Sequence, residues 1–212
     1  MSSYTDQEEI EKLKAWWKNY GGALFGGVLL GLVLLFGNKY WTEYKEQRRA
    51  AASDVYAQVL QQVQEAKIDV ARGNAELLVR EYGNTPYAGM AALMLARLSF
   101  EANDAASARR HLDWAIDNAS DPATVHAARL RLGRLHLANG EHDKALALAQ
   151  VKRDAGFEAE YLELKGDAYV AQGKPDEARA AYGEALKQVA AESPYRRLLA
   201  MKLDDLGPGQ SK

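Results

Sequence analysis

Eighteen consecutive residues, Tyr20 to Gly37 (YGGALFGGVLLGLVLLFG), carry no charge and lie between Lys18 and Lys39. As a helix they span about 27 Å, at roughly 1.5 Å per residue, close to the hydrocarbon thickness of a bilayer. Trp16, Trp17 and Tyr20 stand at one end of the run, and Tyr40, Trp41 and Tyr44 at the other. Aromatic rings gather at both membrane–water interfaces because each is an apolar body with a polar tip. A buried core helix needs no such belts and seldom holds six glycines. A cleaved signal peptide ends in a small-x-small site, whereas this run is followed by GNKYWTEYKEQRR, bulky and charged. The run therefore reads as an uncleaved anchor in a lipid bilayer, with a short tail before it and a domain after it.

Gly22 and Gly26 form one GxxxG pair, and Gly27 and Gly31 another. That spacing lets two helix backbones approach closely in lipid, although glycine is also common in membrane helices generally. If the pairs are used, the anchor has a helix partner in the bilayer. Charge leaves the orientation open. Lys12, Lys14 and Lys18 precede the run, and Lys39, Lys45, Arg48 and Arg49 follow it.

The rest of the chain has the balance of a globular protein, 48% hydrophobic and 26% charged overall. Setting aside Lys12, Lys14, Lys18, Asp6, Glu8, Glu9 and Glu11 leaves 24 of the 27 basic residues against 25 of the 29 acidic ones. A domain so close to neutral has no electrostatic footprint for nucleic acid. With no cysteine, disulfides, thiolate metal sites and a lipoprotein cysteine are excluded, and a large helical core needs no such staples.

In the tail, Ile10, Leu13 and Trp17 share one helical stripe, which predicts a short interfacial helix. From Lys39 to Arg72 there is neither Gly nor Pro, and Val55, Val59, Val63, Ala66 and Val70 make one apolar face. The anchor helix is expected to run on into this segment, with Gly37-Asn38 or the charged stretch 43–49 as the places for a bend. Gly73-Asn74 is expected to punctuate, followed by a short helix NAELLVREY closed by Gly83. Thr85-Pro86, Asp121-Pro122 and Ser193-Pro194 each place a capping oxygen before a proline at the first helical position. Asn103-Asp104, Gly140 and Gly173-Lys174-Pro175 mark tight turns. Alternating β-branched runs are absent, so the domain is predicted to be all-α and built from antiparallel helix pairs.

The pairs repeat. Gly133 and Gly166 are 33 residues apart, as are Gly140 and Gly173, and Ala145 and Ala178. An earlier copy, with Leu95-Ala96, Asn103, Ala108, Leu112 and Ala115, fits at an offset of 37. The pattern resembles the tetratricopeptide repeat, and LELKGDAYVAQGKPDEARAAYGEAL matches it most closely. Gly166 and Ala178 let the two helices of a pair approach. Tyr169 and Tyr182 are expected to fill the space between neighbouring pairs. A degenerate unit over 50–72 and 74–82 precedes these copies, and PYRRLLAMKLDDL (194–206) suits a terminal capping helix.

Catalytic signatures are missing: no GxSxG, P-loop, HExxH or dinucleotide glycine pattern occurs. His111, His126, His136 and His142 lie on separate elements without metal-ligand spacing, and no cofactor is implied. What remains is a binding surface. In tetratricopeptide arrays the first helix of each pair lines a concave groove. The inward positions here are Met90, Leu93, Arg97 and Phe100, then Leu130, Arg134 and Leu137, then Glu163, Asp167 and Val170. Apolar residues mixed with arginines suit an extended or helical peptide, although leucine and phenylalanine at such positions also pack against adjacent helices.

The layout as a whole resembles the YfgM-like ancillary subunits of the SecYEG translocon. The resemblance rests on the tail ending KAWWKNYGG, the single glycine-rich span, the helix YWTEYKEQRRAAASDVYAQVL and a degenerate tetratricopeptide domain of this size. It implies a cytoplasmic tail over 1–19, a transmembrane helix over 20–40 and a juxtamembrane helix over 41–73. A periplasmic repeat domain then covers 74–206, with a disordered tail over 207–212. It further implies a single-pass protein of the bacterial inner membrane that associates with the SecYEG translocon. The other implied partners are a membrane-anchored periplasmic chaperone of the peptidyl-prolyl isomerase type, emerging secreted polypeptides and a cytoplasmic stress-response regulator. On this reading the chain is a non-enzymatic scaffold that assists protein export. A different class, a membrane-anchored assembly or signalling adaptor such as one for cytochrome maturation, shares the anchor and the repeats but not the channel.

Overall fold

The computed structural model describes residues 3–150 and 156–207. The tail expected to be disordered lies, from residue 208 onward, outside the described residues. Among the described residues the chain forms nine α-helices and no strand: α1 (Ser3–Gln64), α2 (Ile68–Glu81), α3 (Pro86–Glu101), α4 (Ala105–Asn118), α5 (Pro122–Ala138), α6 (His142–Ala149), α7 (Glu158–Ala171), α8 (Pro175–Gln188) and α9 (Pro194–Asp204). They divide into two compact units, Met1–Ala50 and Ala51–Lys212.

The first unit consists of the greater part of α1. Its described residues are helical throughout, with no break at Gly37-Asn38 or across 43–49, where a bend was expected. The Thr42 hydroxyl donates to the Asn38 carbonyl at 2.8 Å, one turn back on the same helix. Leu24, Phe25, Leu29, Leu32, Val33 and Phe36 are all exposed, and none of the apolar window is buried. A soluble domain does not leave such a helix bare, so length, composition and exposure together make it a membrane anchor. Its belts are built: Trp16 lies against Tyr20 and Trp41 against Tyr44, each with ring centroids 6.0 Å apart. The Lys45 ammonium sits 5.2 Å from the Trp41 ring. Around Gly22, Gly26, Gly27 and Gly31 there is open space where side chains would stand.

The second unit is a row of helix pairs: residues 51–64 of α1 with α2, then α3 with α4, α5 with α6, and α7 with α8. Its core is made largely of small residues. Ala52, Ala71, Ala75 and Ala91 are fully buried with Val59, Leu78 and Leu95, and Ala92, Ala96, Ala108, Ala115 and Ala128 surround Leu112, Leu132 and Leu135. The last cluster joins Leu162, Ala178, Tyr182 and Ala185 to Leu199 of α9. Leu199 is fully buried, so α9 covers the end of the row.

All four pairs turn by the same backbone device. Ala66, Asn103, Gly140 and Gly173 adopt left-handed φ values of 57°, 61°, 74° and 71°. After each, an amide reaches back five residues: Lys67 to Gln62 and Glu141 to His136 at 2.8 Å, Asp104 to Ser99 and Lys174 to Tyr169 at 2.9 Å. This is the Schellman closure, which satisfies the last carbonyls of the first helix while reversing the chain. Two sequence expectations change here. The break expected at Gly73-Asn74 is absent, because both residues lie inside α2. The chain turns instead at Ala66, so the apolar face through Val55, Val59 and Val63 stops there and Val70 is exposed. An alanine in the left-handed region costs about 1–2 kcal/mol. Folding α2 back buries Ala71, Ala75 and Leu78 completely, which outweighs it.

Of the expected caps, Asp121 accepts from the Thr124 amide at 3.0 Å and Ser193 from the Tyr195 amide at 3.3 Å. Thr85 does not cap its helix; its hydroxyl donates to the Tyr82 carbonyl at 2.8 Å. Tyr182 also departs from expectation. It packs inside the α7–α8 pair, on Gly166, and its hydroxyl donates to Asp167 at 2.6 Å. Gly166 serves the contact within its pair, as expected, and Gly133 serves the contact between neighbouring pairs by admitting Leu164 of α7.

A Cβ on Gly166 would lie within contact distance of three Tyr182 ring carbons, while Gly183, inside α8, faces open space. Gly183→Ala is expected to stabilise the chain by up to about 1 kcal/mol through helix propensity. Gly166→Ala should lose about 1–3 kcal/mol to overpacking despite the same propensity gain. Opposite shifts of the melting midpoint in detergent-solubilised protein check the pair. At the turns, Gly173→Ala should cost about 1 kcal/mol and Ala66→Gly should not destabilise, because only the first creates a new left-handed side chain; urea midpoints decide.

Candidate functional site

The first helices of successive pairs, α3, α5 and α7, carry the ten positions expected to face a groove, and the structure divides them. Arg97 and Phe100 of α3 and Arg134 of α5 line one cleft of about 360 Å³, together with Ala96, Ala108, Leu112, Leu135 and Arg131. Phe100 is exposed although large and apolar. Met90 and Leu93 are half-buried, and Leu93 packs on the cluster around Leu112. Leu130 belongs to the core, buried with Ala149, Tyr161 and Leu164, and Leu137 packs on the same cluster. Val170 is exposed near the end of α7.

Glu163 and Asp167 face the terminal helix. The Lys202 ammonium of α9 lies 2.6 Å from Glu163 Oε1 and 2.7 Å from Asp167 Oδ1. The Tyr195 hydroxyl, also on α9, donates to Glu163 Oε2 at 2.9 Å. Arg134 of α5 reaches the same oxygen at 3.3 Å. A carboxylate only 5% exposed is thus held by three partners on two helices. Burial by itself raises the Glu163 carboxyl, but the Lys202 hydrogen bond and charge, with help from Tyr195 and Arg134, bring it below its ordinary value. The same surroundings push the Tyr195 and Tyr182 hydroxyls far upward, burial first and the neighbouring carboxylates next, so both stay protonated.

Arg131 was not among the expected groove residues. It stands one turn before Arg134 on α5, and that i, i+3 spacing was the available signal. Burial, followed by the nearby Arg134 and Arg97 guanidiniums, lowers its affinity for its proton. Lys202 and Tyr195 were missed because nothing local in PYRRLLAMKLDDL says which surface α9 meets. Among the described residues no three His, Cys, Asp or Glu side chains converge as a metal site would require. His126 stacks on Phe157 and shares a 2.9 Å hydrogen bond with the Tyr161 hydroxyl, and His136 pairs with Glu141 across the third turn.

Known proteins match along nearly the whole chain. The family model for the tetratricopeptide repeat-like domain covers residues 14–208. A Neisseria gonorrhoeae protein named ancillary SecYEG translocon subunit is 34% identical over 203 residues, 95% of this chain and 97% of that one. Proteins of the same name from Haemophilus influenzae and Escherichia coli are 28% and 27% identical, again over about the full length of both chains. Among solved structures, a Podosopora anserina kinesin light chain with nearly identical TPR-like repeats superposes with a TM-score of 0.55. That match covers 74% of this chain and 86% of the other at 17% identity, a likeness of fold.

The Glu163 cluster gives stability a defined pH dependence. A carboxyl lowered by folding contributes stability above its ordinary value of 4.5, and that contribution is lost as pH falls through the lower folded value. Glu163→Gln should remove about 1–3 kcal/mol at neutral pH and flatten the acid limb of the stability curve. Urea unfolding at a series of pH values measures both.

Proposed function

This chain belongs to the family of the ancillary SecYEG translocon subunits, and from that premise we propose that it is a non-catalytic adaptor held beside the SecYEG channel. The observation that carries the reading is the end-to-end similarity, at 95% coverage, which includes the apolar anchor as well as the repeats. A shared repeat fold alone would fit many adaptors; a shared order of tail, anchor and repeats narrows the choice.

In this reading the tail lies in the cytoplasm and the repeats in the periplasm. The open faces of Gly22, Gly26, Gly27 and Gly31 dock the anchor against membrane helices of the channel, since small residues let backbones approach in lipid. The groove positions that stay accessible, Met90, Leu93, Arg97, Phe100 and Arg134, meet emerging secreted chains or a membrane-anchored isomerase-type chaperone. Leu130 and Leu137 support that surface from the core, and Glu163 and Asp167 fasten its end to α9. The tail, which exposes Ile10, Leu13 and Trp17, meets a cytoplasmic stress-response regulator. Tethering supplies the mechanism: a weak binder fixed near the channel exit meets its ligand at a high local concentration, without needing high affinity.

The expected result is recovery of SecYEG components with the chain after gentle detergent extraction, and crosslinks from a photoreactive residue placed in the anchor. Gly22→Leu combined with Gly26→Leu should cut that recovery about tenfold, the equivalent of 1–2 kcal/mol of helix packing. The repeat unit should melt unchanged. Wild-type protein that extracts cleanly, without SecYEG and without crosslinks, would count decisively against the reading. Protease added outside spheroplasts tests the orientation, since it should cut the repeats and spare the tail.

A further inference from the structure

We infer that the cleft between α3, α4 and α5 receives an extended polypeptide segment in which a large apolar side chain is flanked by Asp or Glu. The inference deepens the adaptor reading and rests on it for the source of the peptide.

The floor of the cleft is apolar: Ala96, Ala108, Leu112 and Leu135, with Phe100 at the side. Its volume of about 360 Å³ lies at the small end of ligand pockets, suited to one or two side chains rather than a whole helix. Three guanidiniums, Arg97, Arg131 and Arg134, stand around this floor. Their own partners hold them loosely. Arg97 pairs with Glu101 at 2.7 Å on the solvent-exposed face of α3, an exchangeable contact. Arg134 touches Glu163, but that carboxylate already has Lys202 at 2.6 Å and Tyr195 at 2.9 Å. Arg134 can therefore turn to a ligand without leaving a buried charge uncompensated. Among the described residues Arg131 donates to the Leu93 carbonyl, at 3.5 Å, and lies near the neutral Tyr56 hydroxyl, and no carboxylate pairs with it. The cleft thus holds more positive charge than its surroundings neutralise, on a near-neutral protein. Guanidinium forks bind carboxylates in preference to neutral acceptors, and the apolar floor adds a second requirement one or two residues away along the ligand. A basic or purely polar segment satisfies neither.

The test uses the full chain in detergent micelles and a short fluorescein-labelled peptide with the core Glu-Phe-Glu-Leu-Glu. One control peptide carries Lys in place of Glu, and another carries Ser in place of Phe and Leu. Fluorescence anisotropy should show binding of the first peptide only, weakening as salt is raised. Arg131→Gln should reduce affinity roughly tenfold, as loss of a charge-assisted contact does. Arg97→Gln and Arg134→Gln should each cost less; helical content should stay unchanged in all three variants, and melting in Arg131→Gln and Arg97→Gln, whose side chains hold no buried carboxylate. Phe100→Ser should weaken the same peptide while folding is retained. Equal binding of the Lys peptide, indifference to Arg131→Gln, or no binding at all overturns the inference. So does sedimentation showing that Arg131→Gln splits a dimer, which would give the cleft to a second copy. The two readings separate cleanly. Co-purification with SecYEG without peptide binding removes the cleft assignment alone, and peptide binding without co-purification removes the translocon reading alone.

Discussion

Helix pairs in the repeat unit meet across alanine and glycine, and the rest of the architecture follows from that choice. Small residues let two backbones come close, so each pair is narrow and rigid, but they bury little apolar area of their own. Large side chains are therefore placed where one pair meets the next or where a glycine leaves room. Leu164 enters at Gly133 and Tyr182 at Gly166. A pair built this way cannot stand alone, and each depends on its neighbours for cover, as in other stacked repeats.

The end of such a stack needs a different solution, and here it is partly polar. Leu199 supplies the apolar contact of α9, while Lys202 and Tyr195 bind the carboxylates of Glu163 and Asp167. A buried ion cluster adds less net stability than apolar packing of the same volume, but it penalises any other placement of the helix, which would strand a charge. The same carboxylate also meets Arg134 from the preceding pair. The terminal helix is thus tied to the wall of the arginine-lined cleft, and the two ends of that link share one buried charge.

The anchor obeys other physics. Among the described residues its large apolar side chains find no cover in the protein, and its aromatic belts and open glycines have meaning only with lipid or other membrane helices around them. Anchor and repeats answer to different surroundings, lipid for the one and packed protein for the other. Each could be read separately because hydropathy, aromatic position and residue period are local properties.

How much was legible in the sequence followed the range of the interaction. Asn103, Gly140 and Gly173 were readable as turns because those residue types tolerate a positive φ; Ala66 was not, since alanine carries no such mark and Gly73-Asn74 offered a false one. Arg97, Phe100 and Arg134 were placed in a common groove by the repeat period alone. Leu130 by the same logic was not separable from them, because one helix face passes from cleft to core within a turn. By itself the sequence determined the single apolar anchor, the all-helical repeat, its period and most of its turns, since these depend on backbone preferences and on residues within one or two turns of each other. Only the tertiary structure decided that Tyr182 fills its own pair, that α9 takes Glu163 and Asp167, and that Arg131 completes a cationic cleft. Those outcomes depend on which surfaces meet across 15 to 39 residues of chain, and there packing and charge compensation choose among arrangements that local chemistry leaves equal.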